Sequence, residues 1–342
     1  MIAQKAAAAL RRRRRRLSFL RRARALTMRL LVITNMYPRD EDPSFGSFVY
    51  EQVESLRAAG LAVDVYFIQG YRDRLAYPRA VRELRARRGD YDLFHAHHAY
   101  SAAAALVAGA RPLVMTVHDN PVVTNPLYRR FARAVARRAD RFVAVTPAAA
   151  RAMAPVECDA IPMGTDLELF HPRDKRECRR ELALDADKKY VLFPADPNRA
   201  SKRYDLAREA VALARRLEPA LELLTFHPAP RELVPVYFGA ADVVVVTSDV
   251  ELGPLTVKEA VASARPVVSR RVGDVDFLER SDACLPVGDD ARDVAEGIVA
   301  ALSLPPVGPS AVEPYGMKAV ARRLILLYNE VVGGRAPEAG AK

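Results

Sequence analysis

The sequence predicts an α/β fold made of two doubly wound parallel-sheet domains facing a cleft, and three observations carry that prediction. From Arg29 onward, short runs rich in Val, Ile and Leu alternate with segments of helical periodicity, the succession that gives parallel strands covered by helices on both faces. The alternation stops at "MGTDLELFHPRDKRE", where Gly, Asp and Pro interrupt it, and restarts at "KKYVLFPA". A chain of 342 residues, 50% of them hydrophobic, is also long enough for about two domains of ordinary size.

In chain order, the first series of strands reads "RLLVIT", "AVDVYFI", "DLFHA", "PLVMTV", "RFVAVT" and "CDAIPM". Between the first two, "SFGSFVYEQVESLRAAG" puts Phe48, Val49, Val53 and Leu56 on one helical stripe and ends on Gly60, a residue suited to a helix C-terminus. The segments around "SAAAALVAGA" and "NPLYRRFARAVARRA" have the same character. A linker is expected near residues 165–188, with Asp166 capping a turn. The second series reads "KKYVLFPA", "LELLTF", "ADVVVVT", "RPVVS" and "ACLPV". A last helix, "MKAVARRLILLYNEVV", offers Leu324, Leu326, Leu327 and Val331 for packing. The expected division is a basic extension over 1–28, a first domain over 29–170, a second over 171–312, a helix over 313–333 crossing back to the first, and a disordered tail over 334–342.

The net charge of +11 has a definite location. Residues 1–29 hold Lys5, Arg11 to Arg16, Arg21, Arg22, Arg24 and Arg29 and no acid, so the rest of the chain balances 42 basic against 42 acidic residues. A neutral body without a nucleic-acid module argues against nucleic acid as a partner. The extension reads as a disordered basic arm or a start assigned too early, since Met28 stands directly before the first strand. The sharper reading makes "LSFLRRARAL" a short amphipathic segment that meets an anionic membrane surface. No run approaches the roughly 18 apolar residues of a membrane span. Cys158, Cys178 and Cys284 lack C-x-x-C spacing or a nearby His pair, against a disulfide framework or structural zinc. A cytoplasmic protein, peripheral at most at the inner membrane face, is the expectation. His95, His97 and His98 have no partnering acid or cysteine placed beside them, so core positions are expected for them and no metal.

The segment with most chemistry is "ELGPLTVKEA", Glu251 to Ala260, between the apolar runs "ADVVVVTS" and "RPVVS". Such a loop lies at the carboxyl edge of a parallel sheet, where ligands bind in this architecture. Pro254 suits the first turn of the following helix, whose N–H groups and dipole make an anion site. Glu251 in the loop and Glu259 within the helix can reach different parts of one extended ligand. Carboxylates accept hydrogen bonds from vicinal hydroxyls, and phosphate at the helix end with hydroxyls on either side describes a nucleotide sugar.

"SDVELGPLTVKEAVASARPVVSRRVGDV" resembles the signature of retaining glycosyltransferases of family 4, the group 1 type, with its E-x7-E spacing. The resemblance extends through "RLLVITNMYPRDEDPSFGSFVYEQVESLRAAGLAVDVYFI", "YDLFHAHHAYSAAAALVAG", "PLVMTVHDN" and "IPMGTDLELFHP", over nearly all of residues 29–332. It is closest to the teichuronic acid biosynthesis subgroup. It implies a GT-B fold of two Rossmann-like domains, the second binding a nucleotide-diphosphate sugar, UDP- or GDP-linked, and the first binding a glycan, lipid-linked or other cell-envelope acceptor. No separate cofactor or metal is implied.

Carried onto this chain, the resemblance gives Glu251 the donor sugar and Glu259 the ribose. The amides of Gly253, Pro254 and Leu255 fall at the phosphate, although proline itself has no N–H to offer. Lys202 and Arg199 match the basic residues that neutralise the departing diphosphate, and His118 the histidine that contacts the donor. Gly46, in the loop after the first strand, would let backbone approach the ligand closely. The chain departs from the pattern in places: Leu252 stands where the family has glycine, Pro197 where many members have arginine, and "VASAR" replaces the frequent M-A-C-G. The competing reading is a non-catalytic, degenerate glycosyltransferase that acts as a binding or scaffold subunit.

Overall fold

The computed structural model describes residues 28–334 except 43, 44, 71, 74, 119, 228, 254, 274–282 and 306. Residues 1–27 of the basic extension expected over 1–28, the tail beyond 334 and the proposed phosphate-site residue Pro254 therefore lie outside the described residues.

Eleven strands form two parallel sheets among these residues. The first contains β1 (Arg29–Thr34), β2 (Ala62–Phe67), β3 (Leu93–His97), β4 (Leu113–Val117), β5 (Arg141–Ala144) and β6 (Asp159–Ala160), in the order β2-β1-β3-β4-β5-β6. The second contains β7 (Lys189–Phe193), β8 (Leu221–Thr225), β9 (Val243–Val246), β10 (Val267–Arg270) and β11 (Cys284–Val287), in the order β11-β10-β9-β7-β8. Both are doubly wound, as the alternating sequence predicts. The centre of each sheet is buried on both faces: all five residues of β3 and of β4, and the four valines of β9, are buried. Strands buried on both faces are dominated by apolar residues, as in the four valines of β9, and the polar residues they do bury are small or hydrogen-bonded, as with Thr116 and His95.

Both sheets reverse strand order beside their first strand, between β1 and β3 and between β7 and β9. A crevice opens at the carboxyl ends of strands at such a switch point. The loops that matter are therefore those after β1, β3, β7 and β9.

The helix Ser47–Ala58 buries Val49, Val53 and Leu56 against the first sheet, while Phe48 is half-buried. The last helix, Met317–Gly333, packs Val320, Ala321, Leu324, Leu327 and Tyr328 into the same cluster as Leu30, Val32, Val49 and Val53. The chain thus finishes on its first domain. Leu326 corrects the sequence expectation: it is 55% exposed, because the helical period that turns positions 324, 327 and 328 inward turns 326 outward.

The segment 165–188 is also more ordered than a linker. Asp166 does cap a turn, its Oδ1 accepting from the amides of Glu168 and Leu169 at 2.9 and 3.0 Å. Beyond it, Asp174 caps a helix, Lys175–Glu181, by accepting from the Glu177 amide at 2.8 Å. The buried Arg179 of that helix pairs with Asp242 at 2.6 Å, fastening it to the second domain. Cys158 is exposed, and Cys178 and Cys284 are buried. No helix among the described residues is long and apolar enough to cross a membrane.

Candidate active site

Lys202 and Glu251 meet, and the loops after β7 and β9 are built so that they do. Beyond the valines of β9, the Thr247 hydroxyl lies 2.9 Å from the carbonyl oxygens of both Lys202 and Arg203. The Asp249 amide donates to the Ser201 carbonyl at 3.0 Å. Arg270, from β10, reaches across to the carbonyls of Thr247 and Ser248 at 3.2 Å and to Asp249 at 2.8 Å. Lys202 closes the short 3-10 turn Ala200–Lys202, and the next residue, Arg203, takes a left-handed conformation (φ 55°) before the helix Tyr204–Ala214. On this frame the Lys202 ammonium donates to Glu251 Oε1. The side chains are 20% and 14% exposed, so the pair is sheltered yet reachable. Arg199, at the start of the turn, is exposed.

The loop after Glu251 turns towards the first domain. Gly253 has φ 104°, a conformation an L side chain resists, and the helix Leu255–Ala262 follows. Leu252 is 4% exposed and belongs to the buried cluster of Leu31, Ile33, Phe94, Met115 and Val122 in the first domain. Asn120 Nδ2 adds a bond of 3.3 Å to the Val250 carbonyl. The departure at 252 is therefore a structural contact: a glycine would leave this apolar seat empty.

Glu259 is buried against Arg231. Both terminal nitrogens of Arg231 stand 3.3 Å from Glu259 Oε1, and Nη2 also donates to Glu51 of the Ser47–Ala58 helix at 2.6 Å. The guanidinium is 5.1 Å from the Phe170 ring centre. Burial pushes the Glu259 carboxyl up to about 7, with Arg231 opposing and Glu51 reinforcing the shift. Burial raises Glu51 as well, against the pull of Arg231. Sequence reasoning missed Arg231, Glu51, Asn120 and Arg270. Each acts across a domain or between strands, so no local spacing marks it.

In the first domain, His118 follows β4, and its Nε2 lies 2.7 Å from His97 Nδ1 in nearly coplanar rings. The Phe48 ring centre is 5.0 Å away. Burial, then the neighbouring histidines, hold both His97 and His118 well below the ordinary imidazole range, so at neutral pH one donates and the other accepts. His118 Nδ1 has no hydrogen-bond partner among the described residues. His95 is a core histidine, bonded at 2.7 Å to both Tyr328 and Thr116. No cluster of three His, Cys, Asp or Glu among the described residues is arranged to hold a metal.

Gly46 sits in the loop after β1 with φ 68°, and a Cβ there would come within 2.4 Å of the Met36 carbonyl carbon and 2.5 Å of the Tyr37 nitrogen. Gly46→Ala is therefore expected to cost about 2 kcal/mol or more through left-handed strain and a backbone clash. A urea titration with unchanged midpoint would refute that close approach.

Two family models match the chain in succession: Glycosyltransferase Family 4 over residues 17–169 and Glycosyl transferases group 1 over 196–303. Among curated relatives, D-inositol 3-phosphate glycosyltransferase 1 of Catenulispora acidiphila is 29% identical over 77% of this chain and 79% of its own length. The D-inositol 3-phosphate glycosyltransferase of Nocardia farcinica is 30% identical over 65% of this chain, which spans 61% of that relative. Among solved structures, sucrose-phosphate synthase of Thermosynechococcus elongatus superposes with a TM-score of 0.73 at 20% identity, over 90% of this chain and 99% of that one. Anabaena Alr3699/HepE, in complex with UDP and glucose, gives 0.65 at 17% identity, over 88% and 99%. The two-domain GT-B architecture is shared with these glycosyltransferases.

Proposed function

Because two glycosyltransferase family models match the chain in succession, we propose that it is a retaining glycosyltransferase, moving a sugar from a UDP- or GDP-sugar to a hydroxyl of a cell-envelope glycan or lipid-linked acceptor. The observation that carries this reading is the Lys202–Glu251 pair, placed after the two strands that flank the second sheet's switch point. A glycosyltransferase needs a cation for the departing diphosphate and a hydroxyl-binding carboxylate beside it, and this pair supplies both in contact. The UDP and glucose held by the Anabaena neighbour favour UDP as the nucleotide. The curated relatives carry the name of inositol phosphate enzymes and not of the teichuronic acid subgroup, so the acceptor is argued from the cleft itself.

With donor bound, Lys202 turns from Glu251 to the diphosphate, joined by Arg199, and Glu251 accepts from sugar hydroxyls. The amides around Gly253 and Leu255 add to the anion site. Neutral His118 offers Nδ1 to the donor. The bond from the anomeric carbon to the phosphate oxygen breaks, the acceptor oxygen bonds to that carbon on the same face, and the acceptor proton passes to the departing phosphate oxygen. Lys202 and Arg199 supply the positive potential that the leaving group requires, so transfer should not depend on a divalent cation.

Incubation with a panel of UDP- and GDP-sugars tests this. One donor at 100 times its dissociation constant should stabilise the protein by about 2.7 kcal/mol. Its nucleotide should be released in excess EDTA, and the product's anomeric proton coupling should match the donor's. An inverted coupling rules out retention. Binding with no transfer or hydrolysis of any donor would favour the non-catalytic reading.

A further inference from the structure

A cavity of about 590 Å³ opens at the carboxyl edge of the first sheet, lined by Asn35 after β1, His98 after β3 and Tyr100, Leu127, Tyr128 and Phe131 from the helices beyond. It adjoins the donor site: Pro121 lines it, and the preceding Asn120 donates to the Val250 carbonyl, one residue before Glu251. The size is that of a small-molecule site, roughly 300–1,000 Å³.

Its chemistry is selective. Among the described residues that line it there is no Lys, Arg, Asp or Glu. Tyr100, Tyr128 and Phe131 form one aromatic group, with Tyr100 5.6 Å from Tyr128 and 5.2 Å from Phe131 between ring centres. Tyr100 remains 49% exposed and Leu127 78% exposed, so apolar surface faces the opening. Asn35 is buried, its Nδ2 donates to Tyr77 at 3.3 Å, and its Oδ1 has no partner among the described residues. A buried carbonyl oxygen without a donor calls for a ligand hydroxyl and repels a phosphate oxygen.

Building on the transferase reading, we propose that this cavity selects an unphosphorylated sugar ring as the acceptor. The ring's C–H face would lie on Tyr100 and Phe131, one hydroxyl would donate to Asn35 Oδ1, and another would point to the donor. A phosphorylated acceptor needs a cation to meet its charge, usually arginine or lysine, and the lining described provides none.

The test uses the full chain with its active UDP-sugar and a panel of methyl pyranosides and their 6-phosphates. Transfer to a neutral member should exceed transfer to its phosphate by at least about tenfold. Tyr100→Ala and Phe131→Ala should raise acceptor KM by about tenfold while leaving donor KM and donor hydrolysis unchanged. Leu127→Arg, at the exposed rim, should narrow the discrimination by bringing a cation to the phosphate. Preference for phosphates in the unmodified protein, or an unchanged acceptor KM in both aromatic variants, overturns the proposal. Ligand-observed NMR separates the two ideas: neutral pyranosides that bind here without any donor turnover would refute the transferase reading, and the acceptor role with it, while leaving a sugar site.

Discussion

Lys202→Ala is expected to lower the transfer rate by about 10²- to 10³-fold, with a much smaller change in donor affinity. The asymmetry follows from when charge appears. Negative charge on the departing diphosphate grows as the anomeric bond breaks, and a fixed cation beside it acts mainly at that moment. Lys202 is suited to this because Thr247 and Asp249 hold its turn from the neighbouring strand's loop. Arg199 is exposed at the start of that turn, so Arg199→Ala should cost less. Glu251→Gln keeps the shape but leaves the ammonium unpaired before donor arrives, and it weakens acceptance from sugar hydroxyls. It should therefore raise donor KM as well as lower kcat.

Stability provides the control. The Lys202–Glu251 pair is sheltered, and Lys202→Ala strands the carboxylate, so the variant should lose about 1–3 kcal/mol of stability and still fold. Wild-type turnover by a folded Lys202→Ala variant would remove the lysine from the mechanism.

The sequence made much of this architecture readable. Parallel strands buried on both faces are predominantly apolar, and "ADVVVVTS" or "PLVMTV" read readily as such strands. The glutamates and the basic turn could be singled out because they stand at fixed positions within strand-loop-helix units. Their partners could not. Nothing local to "PRELVPVYF" shows that Arg231 joins Glu259 to Glu51 on another domain. Leu252 is the sharper case: as sequence it is a departure from the family's glycine, and in the fold it is an apolar anchor seated in the opposite domain. A side chain that packs across a cleft has no periodicity of its own to reveal it. The linker misread near residue 178 has a similar origin, because the single turn or two of Lys175–Glu181 is too short to display a stripe.

The Glu51–Arg231–Glu259 group should give the protein a stability that falls as pH rises from about 4.5 to 7. Burial raises Glu259 from the ordinary carboxylate value to about 7, so the folded state holds a proton that the unfolded chain releases near 4.5. Between those values the folded state binds more protons, the slope of unfolding free energy with pH is negative, and the loss is complete above about 7. At 1.36 kcal/mol per pH unit the full effect is about 3 kcal/mol. Glu51, also raised by burial, contributes in the same direction. Glu259→Gln, neutral at every pH, should flatten most of this slope, whereas Arg231→Met should steepen it, because the guanidinium is what pulls both carboxyls down. Urea titrations at pH 5 and 7.5 measure both changes, and a Glu259→Gln profile parallel to the wild type would show that Glu259 is ionised throughout. The same proton tests the ribose role proposed for Glu259: a carboxylate accepts ribose hydroxyls better than a carboxylic acid does, so with that role donor affinity should improve between about pH 6 and 8 in the wild type. That gain should vanish in Glu259→Gln, tying the buried ion group between the domains to the binding of the nucleotide.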